Sequence, residues 1–105
     1  MMKYPVKSYE KLFNSVLLKR FPEIESIEVK QSPFYSFDDL NVKVHVKDYD
    51  YNKYSVEPCS KLGRELQTNM IELSEYFGMR LLPYIKIYFE GKKICDSSDW
   101  AKGPS

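Results

Sequence analysis

The sequence predicts an α+β fold: a two-layer sandwich in the order α-β-β-α-β, with both helices on one face of a three-stranded, mainly antiparallel sheet. Three observations predict it. Two segments repeat their apolar residues at helical spacing, three segments alternate apolar with polar residues at a period of two, and each strand carries a single apolar row. A sheet with one apolar row per strand receives helices on that face alone, so its second face is left open to solvent.

The chain has 105 residues, the size of one domain with a core of its own. A single small domain over 1–105 is therefore expected, with a tail over 102–105 that frays. Hydrophobic residues at 43%, charged residues at 30% and aromatic residues at 15% argue for a packed core and against disorder. Sixteen basic and fifteen acidic side chains leave a formal charge of +1. That balance excludes the global basic excess of many nucleic-acid-binding domains, so a polyanion site must come from local segregation of charge. Cys59 and Cys95 form no CxxC pair and the chain has one His, which excludes a zinc-ligand set. Both cysteines read as reduced thiols of a cytoplasmic protein. No run approaches the roughly 20 apolar residues that span a bilayer. Met1 to Lys7 lacks the apolar stretch of a secretory signal.

The first helix is expected from Ser8 to Arg20. Ser8 serves as its N-cap and Glu10 lies in the first turn, where the helix dipole favours an acid. Leu12, Phe13, Val16, Leu17 and Phe21 recur on one face, while Lys11, Asn14, Ser15 and Lys19 point away, and Pro22 stops the helix. From Glu23 to Gln31 the period becomes two. Ile27 and Val29 fall on one side and Ser26, Glu28 and Lys30 on the other, giving a first strand closed by Ser32-Pro33. The connection through Phe34, Tyr35 and Phe37 reads as a cap over one end of the core, with a binding loop as the alternative. Leu40 to Lys47 alternates most cleanly: Leu40, Val42, Val44 and Val46 face in, and Asn41, Lys43, His45 and Lys47 face out. A direct connection makes these two strands antiparallel neighbours.

Asp48 to Tyr54 opens like a calcium loop, but Lys53 replaces the turn glycine and Cys59 stands where the bidentate Glu belongs. It reads as a polar turn, and no metal or other cofactor is expected. The second helix follows, from about Pro58 to Phe77. Ser55 caps it, Pro58 suits its first turn, and Cys59, Leu62, Leu66, Met70, Leu73 and Phe77 form a continuous stripe before the left-handed cap Gly78. Gly63 interrupts this helix at a cost of up to about 1 kcal/mol relative to Ala. Either close packing requires it or a surface position tolerates it. The last strand runs from Arg80 to Phe89, with Ile85, Ile87 and Phe89 inward and Tyr84, Lys86 and Tyr88 outward. Glu90-Gly91-Lys92-Lys93 reads as a turn with a basic tip, Ile94-Cys95 as a short return, and Asp96 to Ala101 as a capped helical turn that docks Trp100.

The order α-β-β-α-β, the glycine in the second helix region and the segment Met79-Arg80-Leu81-Leu82-Pro83-Tyr84-Ile85-Lys86-Ile87-Tyr88-Phe89-Glu90 resemble ribosome-binding factor A and its type II KH-like fold. In that family a basic-apolar-Pro-apolar strand ending in an acid follows the last helix, and a Ser-Pro ends the first strand as Ser32-Pro33 does here. The resemblance spans about Ser8 to Glu90 and implies RNA or ribosome binding. The chain departs from the family at Ser60-Lys61-Leu62-Gly63, which replaces the Ala-x-Gly kink. It also has no Gly-x-x-Gly loop to grip a nucleic-acid backbone.

The open face is expected to carry Lys30, Lys43, His45, Lys47, Tyr84, Lys86 and Tyr88, with Glu28 as its one acid; Lys92 and Lys93 add a basic turn. These are the candidate binding residues. Catalytic candidates are absent by the same reading: His45 lies between two lysines with no Ser or Cys paired to it, the four glycines are scattered, and Asp38, Asp39, Asp96 and Asp99 suit turns and caps. A non-enzymatic binding protein is expected. Association with a protein partner or a second copy, through the open face or a strand edge, comes first because the net charge is near zero and Tyr is prominent. The alternative is RNA, with lysines on phosphates and Tyr84 and Tyr88 stacking on bases.

Overall fold

The computed structural model describes residues 6–31, 40–47, 56–78 and 82–100, with the backbone alone at 56–58 and 77. Its elements are α1 (Val6–Arg20), β1 (Ile24–Gln31), β2 (Leu40–Val46), α2 (Val56–Ser74) continued by a 3-10 turn (Glu75–Phe77), β3 (Pro83–Phe89), β4 (Lys92–Asp96) and α3 (Ser97–Trp100). The aromatic connection Phe34 to Phe37, the segment Asp48 to Tyr54, Ser55, Met79 to Leu81 and the tail lie outside the described residues.

The expected α+β class holds, and two finer expectations are corrected. The sheet has four strands rather than three, in the order β1-β2-β3-β4. It is mixed rather than mainly antiparallel: β1 and β2 pair antiparallel, β2 and β3 parallel, and β3 and β4 antiparallel. The parallel pair follows from α2, because a helical crossover returns the chain to the starting end of the sheet. The fourth strand escapes a period-two reading because it is five residues long and its pairing shifts by one residue between Ile87 and Tyr88. A bulge of this kind breaks the alternation on which the reading depends.

One core unites these elements. Tyr9, Phe13 and Leu17 of α1, Leu66, Met70 and Leu73 of α2, and Ile27, Val29, Val42, Val44, Ile85 and Ile87 of the sheet are all buried in it. Ile24 is also buried although it breaks the alternation with Ile27, because β1 has its own register shift between Ile24 and Ser26. α1 begins at Val6, two residues before the expected start, so Ser8 lies inside its first turn rather than capping it. Asn14 does not point away from the protein. Its side chain donates to the Ile27 carbonyl at 2.8 Å and accepts from the Ile27 N–H at 3.0 Å, while Glu10 accepts from the Val29 N–H at 2.9 Å. Two side chains of α1 thus occupy the outer backbone groups of an edge strand.

The expectation of reduced thiols is overturned. Cys59 of α2 and Cys95 of β4 form a disulfide that spans 36 positions, with their Cα atoms 6.3 Å apart. Both residues are buried. The pairing arises because the α2 stripe packs on the inward face of β4, a strand that the sequence hardly signals. With both cysteines bonded, no free thiol speaks for a cytoplasmic location. Among the described residues no helix is long and apolar enough to cross a membrane.

The C-terminal turn is built as expected. Asp96 accepts from the Ser98 N–H at 2.9 Å and Asp99 accepts from the Asp96 N–H at 2.8 Å, a reciprocal cap on α3. Buried Ser97 accepts from the Ile85 N–H at 2.8 Å, so its hydroxyl continues the ladder of β3 where β4 ends. Trp100 lies against Gly63 of α2 and donates from Nε1 to Gln67 at 2.7 Å. A Cβ on Gly63 would meet the ring, which decides for close packing at this position.

Candidate functional site

Alternation in three strands and the pairing between them arrange the polar face in rows. The pairings align Lys30, Asn41 and Tyr84; then Glu28, Lys43, Lys86 and Asp96; then Ser26, His45, Tyr88 and Lys93. Neighbouring strands are about 4.8 Å apart, so members of a row touch or nearly touch. The candidates Lys30, Lys43, His45, Tyr84, Lys86 and Tyr88 therefore share one surface, and Lys47 follows β2 at its end, where its N–H donates to the Glu23 carbonyl at 2.9 Å.

Lys43 and Lys86 are partners across β2 and β3. Like charges set directly opposite repel. The two side chains splay along the strands in opposite directions: the Lys43 ammonium lies 5.6 Å from the centre of the Tyr88 ring, and that of Lys86 lies 5.9 Å from the centre of the Tyr84 ring. Each ammonium sits over an aromatic face that attracts it. A shallow groove on this face is lined by Glu28, Lys30, Gln31, Asn41, Lys43 and Lys86.

The acids of this face are already engaged. His45 Nε2 and Glu28 Oε2 are 2.8 Å apart, and this hydrogen bond holds the Glu28 carboxyl below the usual carboxylate range, helped by the charges of His45, Lys43 and Lys30. The His45 ring also lies 5.9 Å from that of Tyr88. Lys93 bonds Asp96 at 2.7 Å. Burial pushes the Asp96 carboxyl up, but hydrogen bonds from Lys93 and Ser98 outweigh it, and its pKa falls to about 2. The same carboxylate raises the pKa of Lys93. Burial, then the charge of Asp96, raises that of Tyr84. Among the described residues no acid stands at ion-pair distance from Lys30, Lys43, Lys47 or Lys86. Glu72 and Glu75 lie in the helical layer, lining a separate groove with Arg20, Leu73 and the exposed Tyr76.

The separate basic turn is corrected. Glu90 and Gly91, both with positive φ, make the turn, while Lys92 and Lys93 belong to β4 and Lys93 joins the open face beside Tyr88. The sequence reading gave Asn41 and Gln31 no role, although they complete the groove. Asp96 reads from the sequence as a cap alone, since only the pairing of β4 places it in the row of Lys43 and Lys86, with its carboxylate on Lys93.

The face thus presents lysine ammonium groups that have, among the described residues, no acid at ion-pair distance, beside two half-buried tyrosine rings. Among the described residues no group of three or more His, Cys, Asp or Glu side chains is arranged to hold a metal. Compared with models of known protein families, with curated proteins and with solved structures, the chain matches none of them.

Proposed function

We propose that this is a non-enzymatic binding protein that takes RNA on its open sheet face. The observation that carries the reading is the pair Lys43 and Lys86, fixed opposite each other by the β2–β3 register while the acids around them are bonded elsewhere. Bringing the two ammonium groups together costs stability in the free protein, which splays them onto Tyr88 and Tyr84. An anion placed between the two ammonium groups reverses that cost. RNA supplies regularly spaced phosphates together with bases that suit Tyr84 and Tyr88, and the resemblance to ribosome-binding factor A points to the same class of partner.

Association with a protein partner or a second copy, the first expectation from the sequence, has less support than RNA, and for a second copy two features weigh against it. A two-fold contact across this face sets the lysines of two copies against each other near the axis. The β1 edge is occupied by Asn14 and Glu10, which leaves the Ile27 and Val29 N–H groups unavailable to an added strand.

The test is a mobility-shift titration with RNA at rising salt. Affinity should fall steeply as salt rises, and Lys43→Glu/Lys86→Glu should lower it at least tenfold. Binding that survives both changes overturns the reading. A dimer or co-purified protein that Tyr84→Asp/Tyr88→Asp disrupts, in the absence of RNA binding, supports protein association in its place.

A further inference from the structure

We infer that the face selects single-stranded over double-stranded nucleic acid, with the strand lying along β3: a phosphate between Lys43 and Lys86, and one base on each of Tyr84 and Tyr88. This rests on the RNA-binding reading above and adds the form of the ligand, its path and the role of each side chain.

The path follows from β3. Tyr84, Lys86 and Tyr88 occupy alternate positions on one face, and at about 3.3 Å per residue the two tyrosines stand about 13 Å apart with the lysine midway. The cation is thus placed between two aromatic platforms. Lys43 joins Lys86 from the adjoining strand, so both lysines are rooted at the midpoint between the rings and reach outward to them, Lys43 to Tyr88 and Lys86 to Tyr84.

The form of the ligand follows from what the rings can accept. A duplex keeps the faces of its bases inside the stack and offers phosphates outside, so it meets only the lysines. An unpaired strand offers both. Base–aromatic stacking strengthens binding by a factor of several to about a hundred per base, and it is this increment that a duplex forgoes.

The free protein holds both ring faces in readiness. Each is covered by a lysine ammonium, Tyr88 by Lys43 and Tyr84 by Lys86. When a single strand arrives, each ammonium exchanges its ring for a phosphate and each ring exchanges its cation for a base, so no group is left unpartnered. The platforms themselves are anchored. Tyr84 is half-buried, and the Tyr88 ring lies beside the His45 imidazole, which Glu28 holds in turn. Glu28 also borders the groove, and its negative charge favours a phosphate position toward β3.

The experiment compares three probes by fluorescence anisotropy on the whole chain: a short oligouridine, the same strand annealed to oligoadenylate, and heparin, which carries dense charge without bases. The oligouridine is expected to bind at least tenfold more tightly than the duplex. Tyr84→Leu/Tyr88→Leu should erase that preference by weakening the single strand alone, with duplex and heparin bound at least as tightly because the ammonium groups are freed from the rings, and Tyr84→Phe/Tyr88→Phe, which keeps the rings, should preserve it. Lys43→Ala/Lys86→Ala should weaken all three probes and flatten the salt slope by roughly 0.7 per lost phosphate contact on the single strand. Equal affinity for single strand and duplex, or a preference that survives removal of both rings, overturns this inference while RNA binding stands. Failure of all three probes to bind overturns both.

Discussion

Gly63 is buried in α2 because the ring of Trp100 lies where its side chain would project. Gly63→Ala gains up to about 1 kcal/mol of helix propensity but must displace the ring, and overpacking of this kind costs about 1–3 kcal/mol. The expected result is a net loss of stability by urea unfolding with a red shift in the emission of Trp100, which is the chain's single tryptophan and so an unmixed reporter. Unchanged emission would place the ring elsewhere. Asp96 gives a second prediction at this scale. Its carboxyl falls from an ordinary 3.8 to about 2 in the folded protein. A carboxylate depressed in this way adds stability above its unfolded pKa and loses it as pH falls through the folded one, about 2 kcal/mol between about pH 4 and pH 2. Asp96→Asn should therefore lower stability at neutral pH and flatten the acid limb in that window, as followed by circular dichroism.

Among the elements, β1 is the one whose surroundings matter most for behaviour in solution. An edge strand offers free backbone groups to other chains, and α1 covers this one through Asn14 and Glu10. Asn14→Ala removes two of the three hydrogen bonds and leaves the Ile27 N–H without its partner, at a cost of about 1–3 kcal/mol. The variant is expected to associate at concentrations where the parent chain does not, and sedimentation velocity measures this directly. β2 and β3 bear on function in the opposite sense: their parallel register sets Lys43 against Lys86 and gives the face its concentration of positive charge. That register depends on α2 as a crossover, so the lysine pair on the open face and a helix on the far side of the sheet share one cause.

For the whole molecule, the disulfide between Cys59 and Cys95 ties the helical layer to the last strand. Closing a loop of this length removes about 4 kcal/mol of unfolded-chain entropy, a large share of the roughly 5–15 kcal/mol that separates folded from unfolded domains. Urea unfolding with and without a thiol reductant should differ by about that amount, and Cys59→Ala/Cys95→Ala should be insensitive to reductant; equal curves for the parent chain would mean that the bond contributes nothing. The two helices, three of the strands, the inward rows and the outward set Lys30, Lys43, His45, Tyr84, Lys86 and Tyr88 were legible in the sequence, because periods of 3.6 and two are local properties that burial imposes on a segment. The direction of β3, the fourth strand, the disulfide, the fit of Trp100 on Gly63 and the closure of the β1 edge by Asn14 were decided by tertiary structure alone. Each depends on which residues distant in sequence become neighbours, and a single chain's pattern of polarity records the face a residue presents without recording what lies beside it.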